Sequence, residues 1–193
     1  MARKQKKIIK LLIIAIVLAI AILVAQMAYN YFIKISYPQK NADTVNKYSD
    51  MYNVDTNLIF AIIRTESGFK ADAKSGAGAI GLMQMTEETF DWIKKKIAPE
   101  EELAFEDLYT PETSIRFGAY YISICLEKYG GDISTAAAAY HSGWGTVGKL
   151  LGNTEYSENG QTLNVFPYEQ MNLYVKKVQK SYIKYNEIYT VKV

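Results

Sequence analysis

The segment Ser75-Gly76-Ala77-Gly78-Ala79-Ile80-Gly81-Leu82-Met83-Gln84 lies between two stretches whose apolar residues recur with helical spacing. Its three glycines let the backbone approach a bound molecule closely, and the amide of its final glutamine can both donate and accept hydrogen bonds. A loop of this composition suits a polar polymer. We therefore expect a binding site here, with reactive side chains supplied by neighbouring segments.

Glu66 lies upstream of this loop, at the end of a predicted helix. The apolar residues Ile62 and Ile63 precede it, and Ser67-Gly68 ends the helix. Apolar neighbours and the negative end of the helix dipole both disfavour the carboxylate, so Glu66 is expected to hold its proton as a general acid does. Most glutamates are solvated surface residues, so Glu66 taken alone is weak evidence for a site.

A third motif, Ala139-Tyr140-His141-Ser142-Gly143-Trp144-Gly145, follows further along the chain. It places a phenol and an indole beside glycine turns. Carbohydrate sites use such groups for hydrogen bonding and for stacking on sugar rings. The three motifs together indicate a site for a carbohydrate polymer.

The ordered motifs resemble the lytic transglycosylases related to the catalytic domain of soluble lytic transglycosylase, within the goose-type lysozyme-like superfamily. The matching pieces are Glu66-Ser67, residues 75–84, residues 139–143 and residues 167–175, and they extend over about 44–188. The resemblance implies a mainly α, lysozyme-like α+β fold. It also implies an enzyme that cleaves peptidoglycan glycan strands.

The resemblance assigns roles to individual residues, with Glu66 as the catalytic acid and base. The substrate-binding residues it implies are Ser75, Met83, Gln84, Tyr140, His141, Gln170 and Tyr174, with Met83 lining the groove. Two positions depart from the pattern: His141 stands where relatives usually have Asn, and Gln170-Met171 stands where they have Glu-Thr. We interpret His141 as a packing substitution rather than a new base. Gln170 would keep the hydrogen bonds of a glutamate but lose its charge, which would shift the pKa of Glu66.

Ordinary glycoside hydrolysis uses two carboxylates, and the sequence offers one well-placed candidate. The resemblance implies that the N-acetyl group of N-acetylmuramic acid replaces the second, so that cleavage of the β-1,4 bond to N-acetylglucosamine yields 1,6-anhydromuramic acid. No metal or organic cofactor is expected. Two alternatives stay open: a hydrolytic muramidase on the same fold, and a non-catalytic glycan-binding or assembly protein.

The N-terminal region carries the signals of a membrane anchor. Residues 11–25 are all apolar and the run continues to Ile33, which is long enough to cross a bilayer. Five basic residues precede it and the first acidic residue is Asp43, so residues 1–10 are expected to stay in the cytoplasm. A cleavable signal peptide fits less well, because cleavage after Ala28 would place Gln26 at the −3 position.

The expected organisation is therefore a basic cytoplasmic tail (1–10), a single transmembrane helix (11–33), a linker (34–43) and an extracytoplasmic catalytic domain (44–190) in a bacterial cell membrane. Five of the 22 basic residues lie in the tail, so the rest of the chain has 17 basic and 20 acidic residues. This mildly acidic body argues against nucleic-acid binding. The single cysteine, Cys125, excludes an internal disulfide, and the sequence predicts no particular protein partner.

The predicted helices of the domain follow from apolar periodicity and capping residues, with Asp55, Thr86 and Asp132 as N-caps and Gly130-Gly131 as the end of the helix that begins at Pro111. We expect them at 55–66, 87–97, 111–129, 133–140 and beyond Pro167, with a short amphipathic set of turns at 43–52 and a loop or small hairpin at 152–164.

Overall fold

The structure is a computed structural model that describes residues 2–190. The chain divides into two compact units, one reaching to Pro38 and one beginning at Gln39. The first unit consists mainly of helix α1 (Ala2–Ser36). Within it, Arg3–Ser36 is long and apolar enough to cross a membrane, judged by length and composition, and its apolar stretch is not buried inside protein. At about 1.5 Å per residue, this helix exceeds the roughly 30 Å hydrocarbon core of a bilayer.

The second unit is built from helices joined by turns. They are α2 (Ala42–Tyr52), α3 (Thr56–Glu66), α4 (Glu87–Ile97), a 3-10 helix (Phe105–Tyr109), α5 (Pro111–Lys128), α6 (Ile133–Ser142), α7 (Trp144–Leu151) and α8 (Glu169–Tyr189). Across the described residues, extended pairing is limited to two antiparallel bridges, Lys74 with Ile80 and Ile80 with Met85. The predicted mainly α class is confirmed, and its β part is reduced to these bridges.

The helix ends follow the capping chemistry of the sequence. Asp55 accepts the backbone N–H two residues ahead at 2.7 Å, and Asp132 accepts the one three residues ahead at 2.7 Å. Thr86 caps α4 through a longer bond of 3.4 Å. Gly130 and Gly131, with φ of +62° and +82°, end α5 in a conformation that other residues rarely adopt. These four features were all predicted.

Helix α3 lies at the centre of the unit. Its residues Leu58 to Ile63 are all buried, and its main packing partner is α8. The rings of Phe60 and Tyr185 stack there with centroids 5.6 Å apart. Each fully buried large apolar side chain contributes roughly 2 kcal/mol of hydrophobic stabilisation. The end of α3, where Glu66 lies, is thus fixed by the largest helix contact of the domain.

Several local features differ from the sequence expectations. Residues 43–52 are helical rather than a set of turns, and neither α7 nor the 3-10 helix was predicted. Residues 152–164 agree with the first of the two expected forms, a loop: they form turns in which Ser157 accepts from Gly160 and donates to the carbonyl of Thr162. Helix α1 extends to Ser36 and α2 begins at Ala42, so the non-helical connection is residues 37–41, shorter than the expected linker. The other domain boundaries stay predictions.

Candidate active site

A cavity of about 290 Å³ opens where five parts of the second unit meet. They are the end of α3, the loop after it, the start of α4, the middle of α5 and the end of α6. Five of the sequence-predicted site residues line this cavity: Glu66, Ser75, Gln84, Tyr140 and His141. Residues far apart in the sequence are therefore brought together, as a shared site requires.

Glu66 is the last residue of α3, and its carboxyl group faces the cavity. Burial raises the pKa of this carboxyl from 4.5 to about 7, and a hydrogen bond from Tyr174 works in the opposite direction. The Tyr174 hydroxyl donates to Glu66 Oε1 at 2.6 Å. Near neutral pH both the acid and the carboxylate form of Glu66 are well populated. Such a group can give a proton in one step and take one in the next.

Tyr174 reaches Glu66 from α8 and is itself buried. Burial, followed by the nearby charge of Glu66, raises the pKa of its phenol well above 10, so it stays a hydrogen-bond donor. Its ring stacks on that of His141, with centroids 4.4 Å apart and planes 11° apart. Burial lowers the pKa of His141 below 6.5.

The glycine loop forms the facing wall, and most of its polar groups bind other parts of the loop. Gln84, at φ +46°, donates from Nε2 to the carbonyls of Ala73 at 3.1 Å and Gly81 at 2.9 Å. Ser75 Oγ accepts from the backbone N–H of Ala79 at 3.0 Å. Gln84 Oε1 and the Ser75 hydroxyl hydrogen have no protein partner among residues 2–190, so these are the groups left for a ligand.

The expectation that Met83 lines the groove is wrong. Met83 is fully buried, and its side chain fills the space beside Gly118, where a Cβ would overlap it. Its backbone N–H donates to Ser114 Oγ at 3.1 Å, and its carbonyl accepts from the Tyr140 hydroxyl at 2.8 Å. Tyr140 therefore lines the cavity with its ring while its hydroxyl anchors the glycine loop.

The structure also does not bring Gln170 to the cavity. Gln170 lies exposed on the first turn of α8, while its neighbour Met171 is buried in the core. The inference that its missing charge shifts the pKa of Glu66 stays a prediction. The partner that α8 supplies to Glu66 is Tyr174, one turn further along.

A second cavity of about 590 Å³ adjoins the first and shares Thr89 and Tyr121 with it. The indoles of Trp92 and Trp144 meet edge to face in its wall, 5.2 Å apart. Tyr121 stacks on Trp144 at 6.0 Å. Sequence reasoning singled out Trp144 but missed Trp92 and Tyr121. Their only local signal is an aromatic residue within a helical stripe, which equally fits a core position.

The site offers no evident metal-binding cluster. Among residues 2–190, no group of three or more His, Cys, Asp or Glu side chains could hold a metal ion. Glu66 is also the one carboxylate lining the smaller cavity in this part of the chain. Acid-base chemistry by a carboxyl there has to use Glu66.

The sequence model of the transglycosylase SLT domain matches residues 43–162, more than half of the chain. The chain belongs to this family. The SLT match includes the end of α3, the glycine loop and the aromatic residues that line the two cavities, but stops before α8. Tyr174 therefore lies outside the matched residues.

Relatives of known name agree with the SLT assignment. A soluble lytic murein transglycosylase of Salmonella typhimurium is 29% identical over 143 residues, covering 74% of this chain and 22% of its own length. Membrane-bound lytic murein transglycosylase C of Edwardsiella ictaluri is 33% identical over 138 residues, covering 65% and 36%. The chain thus spans between about a fifth and two fifths of the length of these relatives.

Solved structures of SLT relatives share the fold. An inactive variant of the lytic transglycosylase Slt from Pseudomonas aeruginosa superimposes with a TM-score of 0.69 at 29% identity, over 78% of this chain and 24% of that one. The 70 kDa soluble lytic transglycosylase of Escherichia coli gives 0.70 at 26% identity, over 78% and 25%. The predicted lysozyme-like fold class is confirmed.

Proposed function

We propose that this protein is a peptidoglycan lytic transglycosylase that cleaves the β-1,4 bond between N-acetylmuramic acid and N-acetylglucosamine and forms 1,6-anhydromuramic acid. The observation that carries the proposal is Glu66, a single carboxyl with a pKa of about 7 that faces a polar cavity. The names of the relatives, lytic murein transglycosylases, support the same reaction.

A single carboxyl is enough if it acts twice. In the first step Glu66 gives its proton to the glycosidic oxygen, and the substrate's N-acetyl oxygen bonds to the anomeric carbon of N-acetylmuramic acid as the bond from that carbon to the glycosidic oxygen breaks. The N-acetylglucosamine part leaves with a free hydroxyl. In the second step the Glu66 carboxylate takes the proton of the C6 hydroxyl, whose oxygen displaces the N-acetyl oxygen and closes the anhydro ring. The Tyr174 hydroxyl stabilises the intermediate carboxylate through its 2.6 Å hydrogen bond.

The remaining site residues bind the glycan in this proposal. Gln84 Oε1 accepts a hydrogen bond from an amide or hydroxyl of the sugar, and the Ser75 hydroxyl donates one. The ring of Tyr140 forms the apolar side of the subsite. The adjoining cavity, with Trp92 and Trp144, gives the strand room to continue.

The reaction is tested by digesting purified peptidoglycan with the full chain in detergent and analysing the products by mass spectrometry. We expect muropeptides lighter by one water, about 18 Da, than muramidase products, because the C6 hydroxyl replaces water. Glu66→Gln is expected to lower the rate by about 10³-fold while leaving glycan binding intact. Hydrolysed reducing ends would favour a muramidase, and undigested but bound glycan would favour a binding protein.

We also propose that α1 is a retained single-pass anchor, with residues 1–10 in the cytoplasm and the catalytic domain outside. The five basic residues before the apolar run support this orientation. The non-helical connection, residues 37–41, spans at most about 18 Å, so the domain would act on wall close to the membrane during its remodelling.

The orientation can be measured with a membrane-impermeant maleimide, because the native thiol, Cys125, is fully buried. We expect Lys40→Cys to be labelled in intact cells and Gln5→Cys to be labelled only after lysis. Wild type gives the background signal. Labelling of Gln5→Cys alone in intact cells would reverse the proposed topology, and a wall fraction free of membrane would contradict a retained anchor.

A further inference from the structure

His141 stands in a position that the proposed reaction does not yet use. It lies at the end of α6, lines the same cavity as Glu66, and stacks face to face on Tyr174 at 4.4 Å. Its ring nitrogens make no hydrogen bond to any described residue. The imidazole is thus held by its ring face alone, and it contacts the phenol that donates to Glu66.

Few other groups in the cavity can change charge near neutral pH. Tyr174 from α8, Tyr140 from α6 and Tyr121 from α5 all face this region, and burial raises the pKa of each phenol far above neutrality. The phenols therefore stay neutral. Glu66 from α3 and His141 from α6 are left as the two groups that exchange protons with the solvent in the working range.

We propose that His141 is a positioning residue for Glu66: its ring holds the Tyr174 phenol in place to donate to the carboxyl, and its neutral form keeps positive charge out of the cavity. The inference rests on the proposed function, and it extends that function to the pH range in which the enzyme works. It replaces our interpretation of His141 as a packing substitution.

The proton distribution follows from the surroundings of the two groups. Burial raises the pKa of Glu66 to about 7 and lowers the pKa of His141 below 6.5. With one proton between them, the proton therefore resides on Glu66, where the first step needs it. At lower pH His141 also becomes charged. An imidazolium in the cavity opposes the positive charge that develops on the sugar, so the rate falls on the acid side.

The first test does not depend on activity. His141 is the only histidine, so the NMR signals of its ring report one site. In the wild type we expect these signals to shift in two steps. One step, below pH 6.5, reports protonation of the imidazole itself, and the other, near pH 7, reports protonation of Glu66. Glu66→Gln should remove the second step. Identical titration curves for wild type and Glu66→Gln would overturn the proposal even if no substrate were ever cleaved.

The second test separates the ring from its charge. His141→Phe keeps a flat ring on Tyr174 and removes the titration; we expect loss of the acid-side fall in rate and a smaller drop in kcat at pH 7 than in His141→Asn. His141→Asn removes the ring, and we expect kcat to drop about 10-fold with KM unchanged within about 2-fold, since orientation of the acid is lost.

Other results would contradict the positioning role. A higher KM with unchanged kcat in His141→Asn would make His141 a substrate contact instead. An acid-side fall that persists in His141→Phe would assign it to another group. Thermal unfolding of both variants checks their folding, and the NMR comparison stands if either variant fails to fold. A wild type that gives no anhydro product would contradict the proposed function, whereas the NMR comparison tests the coupling by itself.

Discussion

The two walls of the cavity that Glu66 lines are built on different principles. One wall carries Glu66 of α3 and His141 of α6, and both contact Tyr174 of α8, Glu66 through a hydrogen bond and His141 through a ring stack. The wall from the glycine loop carries Gln84 and Ser75, whose hydrogen bonds mostly hold the loop itself. The first wall, the chemical wall, carries groups that can exchange protons. The second, the loop wall, fixes the shape of the cavity. Substitutions in the two walls should therefore differ in what they change.

The largest effect is expected from Gly81→Ala, in the loop wall. Gly81 has φ +81°, and a Cβ there would overlap the carbonyl oxygen of Leu108. Both the backbone strain and the overlap with main chain must be relieved by moving the loop, so we expect a loss of about 4 kcal/mol in the free energy of unfolding. Urea denaturation at pH 6 measures it.

Gly76→Ala is the matched control in the same loop. A Cβ at Gly76 meets nothing within 4 Å. We expect its free energy of unfolding to stay within about 0.5 kcal/mol of wild type. If both variants lost the same stability, the loop would not depend on the close contact with Leu108, and the shape-giving role of this wall would be refuted.

The second effect concerns the chemical wall, where the raised pKa of Glu66 is expected to lower the free energy of unfolding near neutral pH. The folded-state pKa of Glu66, about 7, lies above its ordinary value of 4.5. The folded protein therefore binds the proton more tightly, and this stabilisation is complete below about pH 4.5 and lost as pH rises through about 7. At 1.36 kcal/mol per pKa unit, the loss amounts to about 3 kcal/mol.

Glu66→Gln isolates this contribution, because glutamine keeps the shape and cannot ionise. We expect the variant to be about 3 kcal/mol more stable than wild type at pH 8 and nearly equal to it at pH 4. Chemical denaturation at both pH values is the measurement. Equal stability of the variant and wild type at pH 8 would mean that the carboxylate is well solvated. Glu66 would then not be the general acid of the proposed reaction.

The sequence predicted local features of the helices better than contacts between residues that are far apart in the chain. Helix caps such as Asp55 and Thr86 depend on residues two or three positions away, so local patterns were sufficient to find them. The hydrogen bond between Tyr174 and Glu66 joins residues 108 positions apart. Its distance depends on how α8 packs on α3, which no local pattern encodes. The resemblance named both residues as site residues but could not join them.

The errors at Met83 and Gln170 have the same origin. Both were placed by counting along a motif, which locates a residue in sequence but not the side to which its side chain points. The side chain of Met83 lies in the core beside Gly118. Gln170 and Tyr174, four positions apart, share a face of α8, but Gln170 lies in the exposed first turn whereas Tyr174 is buried where the helix packs on the domain. Only packing decides between these orientations.

A third prediction addresses the hydrogen bond within the chemical wall. Tyr174→Phe removes the donor that lowers the pKa of Glu66, so the pKa of Glu66 should rise above 7. The alkaline fall in kcat/KM, which follows loss of the Glu66 proton, should move to higher pH. We expect kcat to drop about 10-fold, as for loss of one hydrogen bond to a charged group. An alkaline limb that does not move would mean that Tyr174 only fills space.

The smallest effect is expected from Gln170→Glu, which introduces the acidic residue that the family resemblance implies at this place. Gln170 is exposed and does not line the cavity, so a carboxylate there interacts with Glu66 only through solvent. We expect kcat and the alkaline limb of the pH profile to match wild type within about 2-fold. A clear rise in rate, or an alkaline limb at higher pH, would show that the first turn of α8 moves to the cavity when substrate binds. The chemical wall would then include Gln170, and the division between the two walls would hold only for the free enzyme.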